Sequence, residues 1–276
     1  MATDRCSSTK KEEEEDDGST SHEERSRCCF QEWMQLQRED LTHLLLSLHT
    51  HNHEETNKNL IRNCITHFED YITSRRHLAQ EDVSPFFAPT WCTSLENSLL
   101  WIAGCRPSIF IRLVYALCGS EADARLGEWL EGVRNNNSCH VGGIGELSPT
   151  QMVRVNGLHM RTIKAEEKLT SEMASSQEDV ADQPIAVIVA KEMEGVGEES
   201  EETKMALEQY EKVMREVMEK ADELRLNTLK ELVLEILKPI QALEFLVASK
   251  KLHLSLHQWG KRRDEKQGRL RSYLLS

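Results

Sequence analysis

The sequence predicts an all-α protein, a multi-helix bundle of packed antiparallel helical hairpins with long C-terminal helices. Three observations carry that expectation. Apolar residues recur at three- and four-residue spacing through most of the chain, prolines and cap residues fall at the ends of those stripes, and no credible strand pattern is present. The one β-branched run, IAVIV at 185–189, cannot make a sheet alone and extends a helix.

The segment 1–28 mixes Ser, Thr, Glu, Asp and Lys with almost no large apolar side chain, so it is expected to be a disordered acidic arm. From Phe30 the pattern changes. Phe30, Trp33, Leu41, Leu44, Leu45 and Leu48 form the stripe of an amphipathic helix, and Ile61, Cys64, Ile65, Phe68, Tyr71 and Ile72 form a second, with HTHNH as the connection. Pro85 and Pro89 in SPFFAPTW forbid a continuous helix and predict an apolar turn packed on the bundle. Ser94 to Ala103 read as helical again, Gly104 suits the end of that helix, and Pro107 the start of the next, whose inward face holds Ile109, Phe110, Leu113, Val114 and Leu117.

The Gly- and Asn-rich stretch 119–147 predicts a surface loop with a short helical turn around Trp129. Ser148, Pro149 and Gln151 then form a helix start, because a capping Ser and a Gln three residues on satisfy two orphan amides while Pro suits the first helical position. The helix that follows carries Val155, Leu158, Ala165, Leu169, Met173 and Val180 in an approximate seven-residue rhythm, a short coiled-coil seam. Residues 184–203 read as a linker. Leu207, Tyr210, Val213, Met214, Val217, Ala221 and Leu224 mark another helix that Pro239 breaks, and Ile240, Leu243, Leu246, Val247, Leu254 and Trp259 mark the last. The resulting organisation is an arm over 1–28, a helical domain over 29–262 and a basic tail over 263–276.

Composition bounds the function. With 276 residues, 39% of them apolar, the chain can build a substantial core. No stretch approaches the ~18–20 apolar residues of a bilayer crossing, and the N-terminal run KKEEEEDD has no apolar signal region, so residence in the cytosol or nucleus is expected. The eight cysteines contain no Cys-x-x-Cys pair and read as free thiols rather than a zinc or disulfide framework. The net charge of −13 is uneven: 166–223 holds 18 acidic against six basic residues, while Lys261, Arg262, Arg263, Lys266, Arg269 and Arg271 make the tail basic. A bulk negative field opposes independent binding to a polyanion, so nucleic-acid binding by this chain alone is not expected. Catalysis finds no foothold either: GGIGELS lacks the phosphate-loop pattern and no Gly-x-Ser-x-Gly elbow occurs.

Five blocks carry a resemblance. FQEWMQLQ at 30–37, LWIAGCRPS at 100–108, ELSPTQM at 146–152, ADELRLNTL at 221–229 and KKLHLSLHQWGKRRD at 250–264 resemble the delay-of-germination (DOG) domain of land plants. The same domain forms the C-terminal half of TGA-type bZIP transcription factors. The block holding Trp101, Gly104, Arg106, Pro107 and Ser108 is the most specific. A TGA factor carries a basic DNA-contacting helix and a zipper ahead of this domain, and here only the acidic arm precedes it. The resemblance is therefore to a stand-alone DOG-domain protein.

Candidate sites follow from residues and resemblance together. Phe30, Trp33, Met34 and Leu36 form either a core-facing stripe or an exposed aromatic patch. By resemblance, that region of the dormancy branch engages type 2C protein phosphatases. His253 and His257, at i,i+4 beside Trp259, could share a metal, and the resemblance implies a haem role for them; two neighbouring imidazoles on one helix, however, approach a haem from the same side. His49, His51 and His53 alternate but have no supporting carboxylates. Arg106 is expected to pair with a carboxylate and Ser108 to help start a helix. The function expected is non-enzymatic regulation through protein–protein contacts in seed dormancy, abscisic-acid or stress signalling, in the nucleus and secondarily the cytoplasm. The alternatives are a transcription-associated protein that reaches specific DNA directly or through bZIP partners, and a haem- or lipid-binding sensor.

Overall fold

The computed structural model describes residues 21–50, 54–131, 143–181, 186–188 and 201–268, with backbone only over 120–131. Within them the regular elements are helical, and the only β feature is an isolated bridge between Trp101 and Gly104. The fold is all-α, as the periodicity predicts.

α1 (His22–Thr50) and α2 (Glu54–Glu81) form an antiparallel hairpin. Polar contacts fix its register along its length: Arg25 with Glu81 at the open end, the His67 ring 2.9 Å from Asp40 in the middle, and Ser47 Oγ donating to Asn57 at 2.7 Å near the turn. Phe86 on the short α3 (Ser84–Phe87) and Trp91 in the turn before α4 (Ser94–Ser98) are buried, their rings edge-to-face at 5.7 Å. α5 (Ser108–Glu131) and α6 (Pro149–Asp179) are antiparallel, with Tyr115 Oη donating to Asn156 at 2.6 Å. A 3-10 turn at Ile144–Glu146 precedes α6.

α7 (Glu201–Lys230) returns antiparallel along α6, tied by Lys220 to Glu172 at 3.0 Å and Arg161 to Glu231 at 2.6 Å. It runs into a π-helical segment, Glu231–Ile236, and then α8 (Pro239–Lys266). Lys238 ahead of the proline is extended, as steric conflict with the pyrrolidine ring requires. The wider π turn brings Leu232, Val233, Ile236 and Leu237 inward together. α8 then lies antiparallel to α1 and also packs on α2, α4 and α5. Leu44, Ile61, Ile111, Val155, Leu232 and Phe245 unite these elements in one core cluster.

Several boundaries differ from expectation, each for a physical reason. The first helix begins at His22 rather than Phe30. Its opening turns are held by polar groups, with the His22 ring 2.9 Å from the Leu78 carbonyl, and an apolar count overlooks them. α4 ends at Ser98, and the apolar residues after it form a turn instead of more helix. Part of the expected loop over 119–147 is helical, since α5 continues to Glu131 through Trp129 and Ile144–Glu146 form a 3-10 turn. In the expected linker over 184–203, residues 186–188 are helical and α7 starts at Glu201. The start of the expected tail is helical, because α8 runs through Lys266 and buries Asp264. Residues 1–20, most of the acidic arm, lie outside the described residues, as do His51 and His53.

Candidate functional site

The block LWIAGCRPS folds into a turn that a buried ionic cluster grips from below. Trp101 and Gly104 exchange backbone hydrogen bonds, and Ile102 and Ala103 sit at φ 43° and 56°. A β-branched residue there is strained, and such strain persists only where the surroundings over-determine it. Here they do. Arg225, on α7 and 2% exposed, donates Nη2 to the carbonyls of Trp101 (2.6 Å) and Ile102 (2.7 Å), and Nε to that of Cys105 (2.7 Å). Arg75 of α2 donates to Ala103. Asp222 lies between the two guanidiniums, 2.6 Å from Arg225 Nη1 and 3.5 Å from Arg75 Nε. Burial, the largest single influence, lowers the Arg75 pKa, but Asp222 together with Tyr71, Cys29 and Cys105 outweighs it and raises the group above its ordinary value.

Gly104 is required by this packing. A Cβ there would stand 2.8 Å from Arg225 Cζ, inside the guanidinium's own space. Trp101 is buried and donates Nε1 to Thr170 at 3.0 Å, and Arg225 and Arg106 lie 5.5 and 5.7 Å from the centre of its ring. The buried Glu166 of α6 accepts from the Ser108 amide at 2.7 Å and from its hydroxyl at 3.0 Å, so a carboxylate holds the α5 N-terminus, where the helix dipole favours it. Exposed Arg106 stands 4.0 Å from the same carboxylate, and Pro107 is buried between them in sequence.

Behind the turn lies a cavity of about 310 Å³ between α1, α2, α5, α7 and α8, walled by Trp33, Phe68, Tyr71, Trp91 and Phe110 among others. His253 lines it. Burial pushes that imidazole down to about 4 against the pull of Glu96, so it is neutral near pH 7. His257, one turn on, has Nδ1 2.9 Å from Glu96 and its ring edge-on to Phe30 at 5.9 Å. Burial would raise the Glu96 carboxyl, but hydrogen bonds from His257 and Thr93 hold it below its ordinary value.

A carboxylate-backed imidazole such as His257 is the arrangement metal ligation uses. The rest of the site does not fit a haem: the cavity lies at the bottom of the ~300–1,000 Å³ range of small-molecule sites, too small to enclose a tetrapyrrole. Among the described residues no three His, Cys, Asp or Glu converge on a metal position. His49 is exposed at the end of α1.

The aromatic patch expected on the first helix turns inward, which corrects the exposed alternative. Phe30, Trp33 and Met34 are 8%, 9% and 2% exposed, and Leu36 is half-buried. Trp33 stacks on Tyr71 with centroids 4.7 Å apart and planes at 8°. Hydrophobic burial on this face leaves Gln31, Glu32, Gln35, Arg38 and Glu39 as the outer surface of α1. The buried cysteines are poor nucleophiles, with burial pushing the Cys64 thiol up to about 12.

Comparison with known proteins places this architecture. A family model described as DOG1, seed dormancy control, matches residues 40–116. Protein DOG1-like 1 of Arabidopsis thaliana is 41% identical over 88% of this chain and 92% of its own length. The chain belongs to the DOG1 family. Protein RESPONSE TO ABA AND SALT 1 of the same plant is 27% identical over 71% of this chain and 74% of its own length. Similarity to the A. thaliana transcription factor TGA10 is weaker, 23% identity over 55% of this chain and 28% of that protein.

Within this DOG1-family chain, sequence reasoning missed Arg75, Asp222, Arg225, Glu166 and Lys250, the last buried on α8 with its Nζ 2.8 Å from Asp40. Each is a charged residue on an inward face, where a count of apolar spacing has no place for it. A signal existed for three of them, because Asp222 and Arg225 fall in the block ADELRLNTL and Lys250 opens KKLHLSLHQWGKRRD.

Proposed function

We propose that this DOG1-family chain is a non-enzymatic regulator that works through protein–protein contacts in seed dormancy, abscisic-acid or stress signalling, in the nucleus. Its similarity to DOG1-like 1 across 88% of the chain carries this reading, and the relative named for its response to ABA and salt supports it. The chemistry of the surface suits protein contact. Trp259 on α8 is 53% exposed, Leu252 one heptad earlier is 37% exposed, and Lys251 and Arg262 border them. An exposed tryptophan rimmed by charge is the type of residue that anchors interfaces. The polar outer face of α1, with Gln35 and Arg38, is a second surface for the phosphatase contact that the resemblance implies.

The test is capture of a purified type 2C protein phosphatase by the full chain. Trp259→Ala or Arg38→Glu is expected to weaken capture at least tenfold with no change in thermal midpoint. Trp33→Ala should instead lower the midpoint, and undiminished capture by both surface variants would overturn the proposed faces. The TGA10 similarity favours one second reading, association with DNA through bZIP partners. A gel shift that forms only when a bZIP factor is added supports it.

A further inference from the structure

The cavity behind the clamped turn has features that protein contact does not use. Most of its wall is apolar and aromatic, and Leu99, Ile109 and Leu252, which line it, are 51%, 41% and 37% exposed, so it reaches solvent past an apolar rim. A volume of about 310 Å³ equals roughly ten waters at ~30 Å³ each, far more than the small voids of a close-packed interior. Gln37 places an unpaired, uncharged donor in this wall, where the other unpaired donor, Arg75 Nε, faces Asp222 at 3.5 Å. Gln37 is 4% exposed, and its Oε1 accepts from Lys250 Nζ at 3.1 Å. Lysine only donates, so this contact fixes which end of the amide is nitrogen, and Nε2 is left buried without a partner. His253 supplies a second polar point as a neutral imidazole.

The charged groups in the wall are engaged already. Lys250 has Asp40 at 2.8 Å, and Glu96 has His257 at 2.9 Å. Arg225 gives its donors to the carbonyls of Trp101, Ile102 and Cys105 and to Asp222, and Arg75 donates to Ala103, while its Nε makes no hydrogen bond but has its charge offset by Asp222 at 3.5 Å. Burying a further ion here would be costly, whereas an uncharged acceptor would satisfy Gln37. We propose that this cavity binds a compact, uncharged apolar molecule that carries one hydrogen-bond-accepting oxygen, such as a ketone or ester, and that Gln37 Nε2 donates to that oxygen.

Fluorescence titration of the full chain with Prodan, a neutral naphthyl ketone, tests this, with 2-(dimethylamino)naphthalene as the probe lacking the carbonyl. Saturable one-site binding of Prodan is expected. Gln37→Leu should weaken Prodan about 3- to 10-fold, the value of one neutral hydrogen bond, and leave the carbonyl-free probe unchanged. Leu113→Trp and Leu100→Trp, each filling the wall from a half-buried position, should abolish binding of both probes, with circular dichroism confirming the helical fold. No saturable binding, equal binding by a folded cavity-filled variant, or equal loss of both probes in Gln37→Leu would overturn the site. Tighter binding of 6-(dimethylamino)-2-naphthoate than of Prodan would overturn the uncharged class.

Discussion

Arg225 holds five groups at once, three backbone carbonyls, the Asp222 carboxylate and the face of Trp101. Its loss would leave Asp222 buried beside Arg75 alone and release the strained backbone at Ile102 and Ala103. Arg225→Met is therefore expected to cost about 3–5 kcal/mol in urea unfolding. Gly104→Ala presses on the same guanidinium and should cost about 1–3 kcal/mol. His253 sets a pH dependence. Its folded pKa, about 4, is below the ordinary ~6.5 of a free histidine, so the unfolded chain binds more protons between those values. Stability contributed by the neutral ring is complete above pH ~6.5 and falls as pH drops toward 4. Urea midpoints for His253→Gln should decline less across that window than wild type. These residues were the least legible in the sequence, because stripe-reading counts apolar side chains and treats an inward arginine or aspartate as a gap.

At the scale of elements, legibility followed the kind of signal. The start of α6 was readable, and Ser148 and Gln151 do form a reciprocal cap, the Gln151 amide donating to Ser148 Oγ at 3.2 Å. Ser148→Ala should cost about 1 kcal/mol. The seam of α6 was half readable. Val155, Leu158 and Leu169 are buried as their rhythm predicts, while Val180 is 40% exposed and Thr162, Glu166 and Ser176 occupy inward positions instead. Glu166 earns its place by holding the α5 N-terminus, so Glu166→Leu should free the Ser108 amide and lower stability by about 2–3 kcal/mol despite adding apolar surface. The turn after α4 was misread, because SLLWIAG has helical spacing. Only the carbonyls gathered by Arg225 and Arg75 explain why it leaves the helix. The π segment was not legible either, since local sequence does not distinguish i+5 from i+4 hydrogen bonding.

For the molecule as a whole, α8 is the closing element. It contacts α1, α2, α4 and α5, and contributes Ala242, Leu243, Phe245, Leu246 and Val247 to the largest core cluster. A chain stopped before Pro239 is expected to lose cooperative thermal unfolding, as calorimetry or circular dichroism would show. The all-α class was readable at this scale because it rests on many independent stripes, whereas the way α8 is seated was not, because it depends on contacts far apart in sequence. The end of α8 shows the consequence. Asp264 Oδ2 accepts from the Ser94 amide at 2.9 Å, and Gly260 meets Thr93 so closely that a Cβ would come within 2.1 Å of its hydroxyl oxygen. The cationic stretch from Lys261 onward thus shares its backbone with a structural clasp. Anyone testing the basic tail should exchange Arg262 and Arg263 for Gln rather than clip the terminus, since clipping would confuse lost charge with a lost fold.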